Sequence, residues 1–151
     1  MFALGERRDD LSPIPGVIRI HHVGVVVRDA EAAVETYGTG LGLDVLAVED
    51  FQGEARVAVL RAGETMLHLI QPLREDTPWA AVLRDRGEGA HHVALEVADL
   101  PAAIAALTAS GGGFLDPRPR RDAGDVLSVY VDPAATGGTL IELVQQIRVE
   151  R

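Results

Sequence analysis

Residues 20–37, IHHVGVVVRDAEAAVETY, return at residues 90–107 as AHHVALEVADLPAAIAAL. The alignment pairs His21 with His91, His22 with His92, Val23 with Val93, Val27 with Val97, Asp29 with Asp99, Ala32 with Ala102 and Ala33 with Ala103, always 70 residues apart. Such self-similarity divides the chain into equivalent units before any element is assigned. Each copy opens on the alternating apolar pattern of a strand. It then reaches Asp29 or Asp99, a residue type whose side-chain oxygen caps a helix, and continues with apolar residues at helical spacing, as at Ala33, Val34 and Tyr37. Glycine-rich stretches follow, GTGLG at 38–42 and GGG at 111–113. A dinucleotide loop follows a strand and opens a helix; these follow a helix and precede a strand, so they are helix stops. Three more apolar runs complete each half: 43–48, 55–61 and 65–71 in the first, about 113–116, 126–131 and 139–145 in the second. The sequence therefore predicts an α+β fold of two βαβββ repeats, about 17–73 and 88–147, forming one curved mixed sheet around a central site with helices outside. Residues 1–16, MFALGERRDDLSPIPG, read as a flexible lead-in to a single domain over 17–151.

Composition narrows the chemistry. The 151 residues carry 23 acidic and 14 basic side chains, a net charge of −9, and show no basic stripe, which argues against nucleic acid and anionic membranes as partners. No stretch approaches a membrane span or a signal peptide, so a soluble cytoplasmic protein is expected. Apolar types make up 47% of the chain but only six residues are aromatic, so the core must be aliphatic. Cysteine is absent, so any metal must be held by nitrogen and oxygen. The five histidines occupy three places: His21–His22, His68 and His91–His92.

Strand alternation sends neighbouring side chains to opposite faces. Val23, Val25 and Val27 form one apolar face for the helix to cover, as do Val93, Leu95 and Val97; His22 and His92 then point inward, and His21 and His91 to the other side. His68, between Leu67 and Leu69, and Glu142, between Ile141 and Leu143, are single polar residues in apolar strands. His68 follows His22 by 46 residues, and Glu142 follows His92 by 50. Taken alone, a strand histidine is more often a hydrogen-bonded core residue. Four quasi-equivalent positions about a pseudo-two-fold axis instead suit a borderline divalent ion, Co, Ni, Zn, Mn or Fe, with places left for water or substrate.

These residues resemble the vicinal oxygen chelate superfamily, which includes glyoxalase I, extradiol dioxygenases, fosfomycin-resistance proteins and methylmalonyl-CoA epimerases. The likeness runs from about residue 19 to 146 and is carried by IHHVGVVV at 20–27, QPLREDTPWAAVL at 71–83, RGEGAHHVALEV at 86–97 and TGGTLIELVQ at 136–145. It is closest to the epimerases. It implies His22, His68, His92 and Glu142 as metal ligands, and an epimerase of a 2-substituted malonyl-CoA-type ester working through a metal-stabilised enolate. Glu142 is then the favoured base and Glu96 the lesser candidate. Arg118, Arg120 and Arg121 in PRPRR could bind the phosphates of a coenzyme A ester, or could be a solvated segment balanced by Asp116, Asp122 and Asp125. A small anionic acyl ester as substrate and a homodimer follow from the same resemblance. The chain departs from the pattern where His68 replaces an amide or carboxylate, where Ala58 falls at a position that carries a glutamate in some epimerases, and where Asp132-Pro133-Ala134 lacks a frequent lysine. These departures keep open another isomerase or lyase on the same scaffold, or a metal-free small-molecule-binding protein.

Overall fold

Both repeats begin as the sequence dictates. The computed structural model describes residues 16–147. In chain order it contains β1 (Val17–Val26), α1 (Ala30–Val34), β2 (Asp44–Phe51), β3 (Ala55–Ala62), β4 (Thr65–Pro72), α2 (Pro78–Arg86), β5 (Gly89–Val97), α3 (Leu100–Ala109), β6 (Arg120–Asp122), β7 (Val126–Tyr130) and β8 (Ile141–Gln146). The Asp29 carboxylate accepts from the amides of Glu31 and Ala32, and Asp99 accepts from Ala102, so both expected caps are formed. A second pair of caps comes from the sheet. Gln71 at the end of β4 accepts from Ala30 N–H at 3.0 Å, and Gln145 on β8 accepts from Leu100 N–H at 2.7 Å, which ties each helix start to its own half. Beyond α1 the chain widens into a π turn over Glu35–Gly40.

The eight strands form one mixed sheet in the order β2-β3-β4-β1-β5-β8-β7-β6. The first strands of the two repeats, β1 and β5, pair antiparallel at its centre, and each is flanked by the parallel last strand of its own repeat, β4 or β8. Val25 and Val27 pack with Ala30, Leu60 and Leu69 beneath α1, while Val97, Leu100, Ala103, Val129 and Leu143 form the equivalent cluster beneath α3. A third cluster, Ala55, Val57, Val59 and Ile70 with Phe51, Met66 and Trp79, takes in Ala123 from the second repeat and so joins the halves.

One strand differs from expectation. The run 113–116 makes only an isolated bridge, Phe114 with Val131, and the edge strand of the second half is Arg120–Asp122 instead. Pro117 and Pro119 lack the amide hydrogens that a continuing ladder needs, so pairing resumes only after them. Residues 1–15 of the lead-in and 148–151 lie outside the described residues. Among the described residues no helix is long and apolar enough to cross a membrane.

Candidate metal centre

The strand register gathers four side chains around two small residues. On β1 and β5, His92 stands opposite Gly24 and His22 opposite Ala94; β4 brings His68 beside Gly24, and β8 brings Glu142 beside Ala94. Paired residues share a face of the sheet, so the inner face carries two adjacent rows, His68–Gly24–His92 and Glu142–Ala94–His22. Gly24 is required for a steric reason: a Cβ there would run into the His92 ring. All four polar groups are almost sealed from solvent, Glu142 at 0%, His22 at 2%, His68 at 3% and His92 at 5% exposure.

His22 Nε2 lies 3.0 Å from His92 Nε2, and Glu142 Oε2 lies 2.9 Å from His92 Nε2 and 3.4 Å from His22 Nε2. These three residues form one group able to hold a metal ion. Ligands at the usual distances from a shared tetrahedral ion stand roughly 3.3 Å apart, so the spacing fits. Glu142 Oε1 and His68 Nε2 are buried without a hydrogen-bond partner, and Glu142 Oε2 has only the His22 and His92 ring nitrogens beside it, which leaves a desolvated carboxylate and a lone pair that a cation would satisfy. The residues present therefore fit a divalent ion.

His68 is brought to this place but into a second grouping. Its ring stacks on His22 with centroids 3.8 Å apart, and its nitrogens fall with those of His21 and His22.

His21 and His91 depart from strict alternation. The β1–β5 register slips between Ile20 and His22, leaving His21 as the extra residue, and slips again where Gly24 pairs His92 but Val25 pairs Ala90, leaving His91 as the extra residue. A bulge re-aims a side chain. His21 Nδ1 lies 2.8 Å from His22 Nδ1, and His91 Nδ1 lies 2.8 Å from His92 Nδ1.

Burial, followed by the neighbouring histidines, pulls His68 down to about 2; burial and His92 pull His91 down to about 4. His21 is lowered by the same causes, burial and then His22. Burial alone would raise Glu142, but His22 and His92 hold it well below the usual carboxylate range. Asp122, half-buried, is pushed up to about 8 by burial and by the Glu142 carboxylate it faces, and Tyr130 is raised for the same reasons.

Glu96 shares its strand with His92, yet its carboxylate is engaged by Arg19 Nε at 2.8 Å. Beside the centre a cavity of about 430 Å³ is lined by Phe51, Trp79, Arg118, Arg120 and Arg121 among others. It shares Phe51, Trp79, Asp122 and Tyr130 with the small void that His22, His68 and His92 line. Arg118 and Arg120 both donate to the Asp116 carboxylate, which they hold well below its ordinary range, while Arg121 has no ion pair among the described residues. Sequence reasoning did not place Gly24, Asp122 or Tyr130 at the centre, and named Asp122 only as a charge balancing the arginines. A glycine inside a strand marks close approach and was a readable signal; Asp122 and Tyr130 depended on the unforeseen strand β6 and its partner β7.

A curled mixed sheet built from two βαβββ units, with imidazoles and a carboxylate meeting where the units pair, defines a class of small α+β proteins. Residues 21–130 match the model of the Glyoxalase/Bleomycin resistance protein/Dioxygenase superfamily, and the chain belongs to that family. It is 32% identical over 128 residues to the uncharacterized Bacillus subtilis protein YqjC, covering 84% of this chain and 91% of that one. To an ethylmalonyl-CoA/methylmalonyl-CoA epimerase of Cereibacter sphaeroides it is 32% identical over 130 residues, with 84% and 97% covered. Among solved structures it is similar to a Streptomyces coelicolor methylmalonyl-CoA epimerase in complex with 2-nitronate-propionyl-CoA, with a TM-score of 0.82, 32% identity and coverage of 89% and 99%.

Proposed function

We propose that the protein is a metal-dependent epimerase of a 2-substituted malonyl-CoA-type ester. The observation that carries the reading is the convergence of His22, His92 and Glu142 beside a cavity that Arg118, Arg120 and Arg121 line. His22, His92 and Glu142 would hold the ion, with His68 as a further donor. A divalent ion there would supply Lewis-acid stabilisation of negative charge on a substrate carbonyl oxygen. The chain's own residues do the rest. Glu142, ionised by its histidine neighbours, is the favoured base for the proton between the two carbonyl groups, and Glu96, committed to Arg19, is the lesser one. Phe51 and Trp79, which line both the cavity and the void at the centre, would keep water from the reacting carbon, and the arginines that line the cavity would face the anionic part of the substrate.

The metal-loaded protein, given one epimer of methylmalonyl-CoA in deuterated water, is expected to yield α-deuterated product and a mixture of epimers. Retention of both the proton and the configuration rules out this substrate. The homodimer expected from the resemblance belongs to the same reading, and equilibrium sedimentation tests it.

One observation favours a second reading, an isomerase or lyase for a small substrate without coenzyme A. Asp116 neutralises part of the Arg118–Arg120 charge, which weakens the case for a phosphate-bearing tail. A panel of thiohemiacetals and free β-keto esters separates the two.

A further inference from the structure

We infer that His21 and His91 are positioning residues that fix the ring tautomer of His22 and His92 for metal binding; this rests on the metal reading above. The two Nδ1 atoms of each neighbouring pair are 2.8 Å apart. At that separation one proton lies between them, since two protons or two lone pairs would repel. The Nε2 atoms of His22 and His92 face each other and Glu142, so an ion held there needs both as lone pairs. A neutral imidazole with a free Nε2 carries its proton on Nδ1. His22 Nδ1–H must therefore donate to His21, and His92 Nδ1–H to His91. The acceptor that a ligating histidine usually finds in a carboxylate or backbone carbonyl is here a second imidazole.

Four further features point the same way. Each supporting histidine is the extra residue of a bulge, the device that turns two consecutive side chains toward one another. The arrangement occurs twice, at positions related by the internal repeat. His21 is only 1% exposed, so its ring is held by packing rather than by solvent. His21 Nδ1 has no other hydrogen-bond partner among the described residues.

The test uses zinc as the probe, on the full chain. Competition against a chromophoric chelator gives affinity and stoichiometry. Long-range proton–nitrogen correlation spectra of the zinc-loaded protein report which ring nitrogen of His22 and His92 carries hydrogen. Nδ1–H on both rings is expected, with one zinc per chain. His21→Leu and His91→Leu, which fill space but offer no acceptor, should each weaken zinc binding by about 10–100-fold. His21→Asn and His91→Asn, whose amide oxygen can stand near the lost Nδ1, should recover most of that loss; a merely structural role would not distinguish Asn from Leu. Wild-type protein that binds no zinc overturns the metal reading and this inference with it. Zinc binding with unchanged affinity in the leucine variants, or with hydrogen on Nε2, overturns the inference alone. Two zinc ions per chain also overturn it, because the second group able to hold an ion is His21, His22 and His68, and His21 would then be a ligand rather than the acceptor for His22.

Discussion

Gly24 carries no functional group, yet it sets the geometry of the centre, because the His92 ring occupies the space its side chain would fill. Gly24→Ala is expected to push that ring from its place opposite His22. The cost is about 1–3 kcal/mol of overpacking together with a zinc affinity at least 10-fold lower, measured by chelator competition beside a thermal melt. On the proposed reading His92→Ala removes a ligand and should abolish metal retention through a desalting column, as elemental analysis would show; full retention would remove His92 from the centre. At this scale much was legible beforehand. The convergence of His22, His92 and Glu142 was readable because each is a polar residue at one of four quasi-equivalent places in apolar strands. His68 was readable as a buried inward residue, but its stacking on His22 was not, because ring orientation depends on packing that strand alternation does not encode. The bulges hid the Nδ1 contacts of His21 and His91 for a related reason: alternation assumes a regular ladder.

Each helix start rests on two acceptors, one local and one from the sheet: Asp29 with Gln71, and Asp99 with Gln145. The local cap is encoded within a few residues and was readable; the glutamine crosses from a strand 45 residues away in the α3 case and was not. Asp99→Ala should cost about 1 kcal/mol, or about 3 °C in Tm, while leaving zinc affinity unchanged, since α3 packs on the face away from the centre. Calorimetry and chelator competition on the same sample check both halves of that expectation. The same contrast explains strand β6. The glycines at 111–113 and the prolines at 117 and 119 punctuate the chain so closely that an apolar run, 113–116, looked like a strand. Pairing is instead set by the first segment after the prolines that can reach β7.

Across the whole molecule, buried titratable groups make stability depend on pH in opposing directions. His68, His91 and His21 have folded pKa values below the ordinary 6.5, so the unfolded chain binds more protons and stability falls as pH drops below about 6.5, through about 4 for His91 and toward about 2 for His68. His68, nearly sealed from solvent, contributes up to about 1.4 kcal/mol for each pH unit in that window. Glu142, lowered below its ordinary value, adds stability that is lost on acidification below about 4.5. Asp122 acts oppositely. Held at about 8 against an ordinary 3.8, it keeps its proton when folded, so its destabilising effect grows as pH rises from about 3.8 to about 8. Between about 4 and 6.5 His68 and His91, joined by His21 just below 6.5, oppose one aspartate, and between 6.5 and 8 the aspartate acts alone. The metal-free protein should therefore be most stable near pH 6.5. Zinc changes this balance, because binding needs deprotonated ligands and so strengthens with pH, and because an ion bound only to the folded chain stabilises it by mass action. Thermal melts from about pH 4 to about pH 9 should show the zinc-loaded optimum displaced upward from the metal-free one. Coincident optima would mean that the ion does not bind through these histidines and Glu142.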